Sequence, residues 1–158
     1  MKSKAPPRIV SAIVVVLHPV TGKILSVWNR AVGGWCLPGG KLGPGEESVG
    51  AAIRELKEET NLDAPHLSYL CSGPSSVTDN CTVHVYHCGV AHGVPAVVEA
   101  ETRVAWKTWA ELLNETKFLR FYNAHFPDGI EHLAPTAMPD LHRCNCRYCN
   151  IPADFVEH

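Results

Sequence analysis

The chain has 158 residues, the size of one domain with a single core. Hydrophobic residues make up 46% and charged residues 19%, an ordinary globular balance. A net charge of −2 at pH 7, with His neutral, argues against a broad electrostatic footprint for long nucleic acid and leaves small phosphorylated molecules open as partners.

In chain order, the basic start Met1 to Arg8 leads into the apolar run Ile9 to Leu17. That run is less than half of the ~20 residues a membrane-spanning helix needs. His18-Pro19 comes next without a small-residue cleavage pattern, so a signal peptide is not expected. Val and Ile dominate the run, which suits a buried strand over 9–18. Pro19 to Gly22 reads as a turn and Lys23 to Trp28 as a second strand, together a hairpin. Residues 29–45 form a glycine-rich loop. A helix is predicted from about Glu47 to Thr60, because Val49, Ala52, Ile53 and Leu56 fall at the spacing of one buried face. Asn61 suits the left-handed residue that often ends a helix.

Further strands are predicted near 66–72, 82–92 and 102–107. Thr108 and Glu111 have capping-box spacing and start a second helix over about 109–124. Strands, helix, strands, helix: the order predicts a mixed α/β domain with helices packed on a sheet, over residues 1–125. Pro127, Pro135, Pro139 and Pro152 interrupt the rest of the chain, so 126–158 reads as an irregular tail. Seven cysteines, an odd number, do not describe a secreted disulfide scaffold and point instead to reduced thiols in the cytoplasm.

The strongest chemical signal is Glu55, Glu58 and Glu59. At i, i+3 and i+4, a helix gathers them on one face, at the border of the apolar stripe. Like charges so placed repel, and Arg54 and Lys57 do not point the same way. Several carboxylate oxygens from one element suit a hard cation such as Mg²⁺. Alone, three glutamates are commonly a solvated acidic face. Pro38-Gly39-Gly40 immediately before the helix changes the balance, since glycines permit the close backbone approach that metal and phosphate sites require.

These residues closely resemble the Nudix box. Gly40 is followed by five residues, Glu46, seven more residues, then Arg54-Glu55-Leu56-Lys57-Glu58-Glu59-Thr60-Asn61-Leu62; only the final glycine of that pattern differs, being Asn61. The looser resemblance covers about 9–120. It implies a Nudix-like α/β/α sandwich with a central mixed sheet and a loop–helix–loop catalytic motif. It also implies that Glu58 and Glu59 are metal ligands, with the Gly40 carbonyl; that Glu55 is a ligand or the general base; that Arg54 orients a carboxylate; and that Glu46 supports the site. The metal implied is Mg²⁺ or Mn²⁺. The reaction implied is hydrolysis of a phosphate–phosphate bond in a nucleoside triphosphate or another nucleoside diphosphate-linked compound. In this family the base also varies, and Asp79, Glu99 and Glu101 are the downstream acids to consider, Glu101 foremost. A small phosphorylated nucleotide is the partner expected, a membrane is not, and a homodimer is left open.

Trp28, Trp35, Phe118, Phe121 and Tyr122 are candidates for stacking on a base, each also an ordinary packing residue. His84 and His87 alternate on a strand and read as structural. In the tail, His142, Cys144, Cys146 and Cys149 place four zinc-type ligands in eight residues. A tail Zn²⁺ is therefore a second cofactor to test, against the alternative of free thiols. Two other functions compete with hydrolysis: a non-catalytic nucleotide-binding sensor with a Nudix fold, and a zinc-tail adaptor that uses the domain as a platform.

Overall fold

The computed structural model describes residues 8–98, 102–130 and 132–143. Its first strand, β1 (Ile9–Val15), is buried on both sides. Ala12 and Val14 face one core cluster while Val15 and Leu17 face another, which is why the segment reads as a nearly continuous apolar run. The later elements are β2 (Ile24–Asn29), β3 (Gly34–Cys36), β4 (Gly39–Lys41), α1 (Ser48–Thr60), β5 (Asp63–Pro74), β6 (Cys81–His92), β7 (Val104–Lys107), α2 (Trp109–Glu115) and α3 (Leu119–His125). A short 3₁₀ turn spans Pro139–Arg143.

The strands form a mixed four-stranded sheet in the order β4-β1-β6-β5 and an antiparallel three-stranded sheet in the order β3-β2-β7. Among the strands of the described residues, β1 and β6 run parallel and the other pairs antiparallel. On one side, Ala51, Ala52 and Leu56 of α1 pack with Val14, Leu62 and Leu67. On the other, Trp109 and Leu112 of α2 and Phe121 and Tyr122 of α3 pack with Val15, Ile24 and Val85. Helices thus cover both faces, and the mixed α/β architecture expected from the sequence is present.

Three local expectations change. The hairpin of 9–18 with 23–28 is limited to its turn, where Leu17 bridges Ile24 and His18 N–H donates to the Lys23 carbonyl (2.8 Å). Beyond it the two strands diverge, β1 to pair with β4 and β6, β2 to pair with β3 and β7. The glycine-rich loop contains two short strands, because β1 and β2 each offer an edge to it. The helix predicted over 109–124 is two helices. Its capping box forms as expected, but Thr116 adopts extended backbone and its hydroxyl accepts from Phe118 N–H, ending the first helix.

Beyond α3, Phe126 and Ile130 are buried in the second cluster, and Met138 and Leu141 in the cluster beneath α1. β6 outruns β1, and Ala137 bridges Val90 in the position that β1 vacates. Buried Thr136 fastens this segment: its hydroxyl donates to the Cys88 carbonyl (2.6 Å) and accepts from Leu17 N–H (3.1 Å). No helix among the described residues is long and apolar enough to cross a membrane.

Candidate active site

The site is built where β4 meets α1. β4 is held antiparallel to β1, with Ile13 opposite Gly39 and Ala12 opposite Gly40. A Cβ at Gly39 would overlap the Ala12 carbonyl, so the strand tolerates no side chain there. A Cβ at Gly40 would lie 2.5 Å from Glu55 Oε1. The carboxylate therefore lies directly over the glycine backbone, an approach only glycine allows.

Arg54 organises the acids. Its Nε and Nη2 donate to the two oxygens of Glu46 (2.8 and 2.9 Å), a bidentate pair. Nη1 donates to Glu55 Oε1 (3.0 Å) and Glu58 Oε2 (3.1 Å), and Nη2 also reaches the Lys41 carbonyl (3.2 Å). Helical spacing alone understates this residue: its Cα direction differs from that of Glu55, but the long side chain bends back across the helix surface. Lys57 does turn away, pairing with Asp63 (3.1 Å). Glu46 is fixed from its other side by Gly43 N–H (2.8 Å). The Arg54 hydrogen bonds, helped by the Gly43 amide, hold its carboxyl at about 2. The same contacts, Glu46 first, raise the Arg54 guanidinium above its ordinary range. Glu59 turns to β4, where Gly39 N–H donates to it (2.7 Å). The helix ends at Asn61, which is left-handed (φ 69°), as its side chain permits.

Glu55, Glu58 and Glu59 are all partly exposed and share the rim between α1 and β4. The described residues contain no group of three metal-type ligands already closed into a cage. Glu55 and Glu58 accept from Arg54, and Glu59 accepts from Gly39 N–H. The donor set still fits a hard divalent ion. Its oxygens are carboxylate and carbonyl, and the cradle over Gly40 is one that a Cβ would fill. Mg²⁺ in particular keeps several waters and uses few protein ligands.

Beside the glycines opens a cavity of about 290 Å³. Phe118, Phe121 and Tyr122 line it, so three of the five candidate stacking residues meet there. Trp28 and Trp35 do not. They pack edge-to-face on each other, with Arg103 over Trp28 (4.5 Å) and Lys107 over Trp35 (4.4 Å). The cavity's polar groups Asn29, Ser75 and Thr78, and the thiols Cys36 and Cys81, carried no sequence signal. They come from separate segments and match no spacing rule. Burial, and next the Glu59 charge, push the Cys36 thiol up to about 12, so it stays protonated at neutral pH.

Asp79 is exposed in the turn before β6 and does not line the cavity. Glu99 and Glu101 lie outside the described residues, as do Cys144, Cys146, Cys149 and the His142 side chain of the candidate zinc tail. His84 hydrogen-bonds Ser48 (2.9 Å), which also bonds the Tyr86 hydroxyl, and His87 hydrogen-bonds the Ala134 carbonyl (2.8 Å), both structural contacts.

A mixed sheet between helices, with an arginine-clamped acidic helix following a glycine strand, defines the class of fold. The NUDIX domain profile matches residues 7–127, and the chain belongs to the Nudix family. A Bacillus subtilis (strain 168) protein with the provisional name 8-oxo-dGTP diphosphatase is 45% identical over 53 residues, which cover 34% of this chain and 35% of that one. The match thus spans about a third of that relative's length. Among solved structures, the E. coli ORF135 protein aligns with a TM-score of 0.62 at 22% identity, over 81% of this chain and 94% of that one. The MutT NUDIX hydrolase from Burkholderia pseudomallei aligns with a TM-score of 0.61 at 22% identity, over 77% and 99%. Identities this low establish a shared fold.

Proposed function

We propose that the protein hydrolyses a phosphate–phosphate bond in a nucleoside triphosphate or other nucleoside diphosphate-linked compound, with Mg²⁺ or Mn²⁺ as cofactor. The observation that carries this reading is the Arg54-clamped set of Glu46, Glu55 and Glu58, with Glu59 beside it, at the edge of a cavity of nucleobase size. The diphosphatase name of the partial B. subtilis relative supports the same reaction class.

Glu55, Glu58, Glu59 and the Gly40 carbonyl would hold the cation. Once bound, such an ion neutralises phosphate oxygens and lowers the pKa of a coordinated water. The protein's own contribution is position. Arg54 fixes the directions of Glu55 and Glu58, Glu46 anchors Arg54, and Gly39 N–H aims Glu59. Glu55, against the Gly40 backbone, is alternatively the general base that takes the proton from the attacking water, and Glu101 is the candidate base from outside the box. The cavity excludes water from the non-phosphate end of the substrate and sets its orientation.

Incubation with a panel of nucleotides and nucleotide conjugates, with Mg²⁺ and with product identification, tests the proposal. Nucleoside monophosphate together with pyrophosphate or a phosphorylated partner is the expected product set. Binding without turnover of any panel member would replace this reading with the nucleotide sensor.

A further inference from the structure

Leu37 and Pro38 carry the chain from one sheet to the other. β3 ends at Cys36, paired with β2, and β4 begins at Gly39, paired with β1. Leu37 is 1% exposed, so its N–H needs a partner away from water, and it lies outside both ladders. That partner is the Tyr122 hydroxyl of α3, which accepts from Leu37 N–H (3.1 Å). Tyr122 is itself buried, with its ring packed against Trp109, Phe118 and Phe121, so the hydroxyl is held firmly from the α3 side. The peptide group between Pro38 and Gly39 reaches the acidic site. Its carbonyl accepts from Val14 N–H (2.9 Å), and its N–H donates to Glu59 (2.7 Å).

The link between Leu37 N–H and Gly39 N–H is stiff. The pyrrolidine ring fixes Pro38 φ, and the residue before a proline is confined to extended backbone. A shift at Leu37 is therefore carried to Gly39 with little absorbed on the way. Without the Tyr122 hydroxyl, Leu37 N–H would be buried and unpaired, a state the chain relieves by moving the link. Burial raises the Tyr122 hydroxyl above its ordinary range, so it is a neutral acceptor at neutral pH and brings no charge to the site.

On the reading that Glu59 is a metal ligand, we propose that Tyr122 is a positioning residue for the metal site: through Leu37 and Pro38, its hydroxyl sets the Gly39 amide that aims Glu59. Tyr122→Phe is the informative change, since it keeps the ring and removes the hydroxyl. Pro38→Ala keeps the hydroxyl and loosens the link, and so tests the same path if Tyr122→Phe does not fold. Thr136→Val is the control for stability alone, because it strands buried groups at Leu17 and Cys88 instead.

The experiment titrates Mn²⁺ into the nucleotide-free protein, read from the EPR signal of free Mn²⁺, with kcat, KM and Tm measured in parallel. Tyr122→Phe is expected to raise the Mn²⁺ Kd by about tenfold, as loss of a hydrogen-bonded support behind a ligand does. The nucleotide KM should change less than the metal Kd. Because the hydroxyl acts through Glu59, Tyr122→Phe should weaken binding little further in a Glu59→Gln background. Pro38→Ala should weaken Mn²⁺ binding in the same direction, whereas Thr136→Val should lower Tm and leave the Mn²⁺ Kd as in the wild type. An unchanged Mn²⁺ Kd in folded Tyr122→Phe or in Pro38→Ala would overturn the proposal. So would an equal effect of Tyr122→Phe with and without the Glu59 carboxylate, or an equal rise in Kd in Thr136→Val. The expected pattern of Mn²⁺ binding in a protein that turns over no nucleotide would keep this inference and remove the hydrolase reading. Absence of Mn²⁺ binding by the wild type would remove both.

Discussion

Asn61 stands where the Nudix pattern has glycine, and its substitution measures how helix α1 is ended. Its backbone is left-handed (φ 69°, ψ 6°), and its N–H closes the helix on the Lys57 carbonyl (3.0 Å). Its side-chain amide also donates to the Val94 carbonyl (3.3 Å). Valine in this conformation is strained by about 1–2 kcal/mol. Losing a long, partly buried hydrogen bond adds about 0.5 kcal/mol. Asn61→Val is therefore expected to destabilise by about 2 kcal/mol, or about 4–8 °C in Tm for a domain of this size. Asn61→Gly relieves the residual strain of asparagine but gives up the bond to Val94 and raises unfolded-state entropy. These terms nearly cancel, leaving a change within about 0.5 kcal/mol. Urea denaturation with unchanged m-values, alongside thermal melts, reads both variants. A wild-type midpoint for the valine variant refutes the reasoning. A glycine variant that falls as far as valine would show that the Val94 bond, and not the backbone conformation, dominates.

Thr136→Val removes a buried donor and acceptor together, stranding the Cys88 carbonyl and Leu17 N–H, and is expected to cost about 2 kcal/mol in the same urea assay. A loss below about 0.5 kcal/mol would mean that residues 134–138 are not fastened as described. For Glu46, the folded-state carboxyl lies near 2 against an ordinary 4.5, so its ionised form stabilises the fold. That contribution is complete above about pH 4.5 and is lost as pH falls towards 2, so Glu46→Gln should flatten the wild-type decline in stability across that window. Parallel curves for the two proteins would count against the Arg54–Glu46 clamp.

The box was legible because its geometry is local. Glu55, Glu58 and Glu59 share a helix, and 3.6-residue periodicity alone places them on one face. The same holds for Asn61 and for the capping box of Thr108 and Glu111, each decided within a few residues. Arg54 was only half legible: spacing gives its Cα direction, but not the bend that carries its guanidinium to Glu46. The cavity was not legible. Asn29, Cys36, Ser75 and Tyr122 lie on four different segments, brought together by the pairing of β2 with β3 and of β5 with β6 and by the docking of α3. Thr136 escaped notice because proline-rich sequence around it suggests irregular chain. Irregular chain can still be buried when, as here, a neighbouring strand ends early and leaves a place for it.

If the Arg54-clamped acids form a divalent-metal hydrolase site, turnover must depend both on the metal and on the acids of α1. The most direct measurement is kcat on the best nucleotide substrate as a function of Mg²⁺, for the wild type, Glu58→Gln, Glu59→Gln and the double variant, with Tm measured for each. The expected results are no turnover in EDTA, restoration by Mg²⁺, and a loss of about 10²-fold or more in kcat for each single variant. Tm in the absence of metal should change little, because relief of like-charge repulsion on α1 offsets the weakened contacts to Arg54 and Gly39 N–H. Full activity in EDTA, or undiminished turnover by the double variant, would contradict a metal site at these residues.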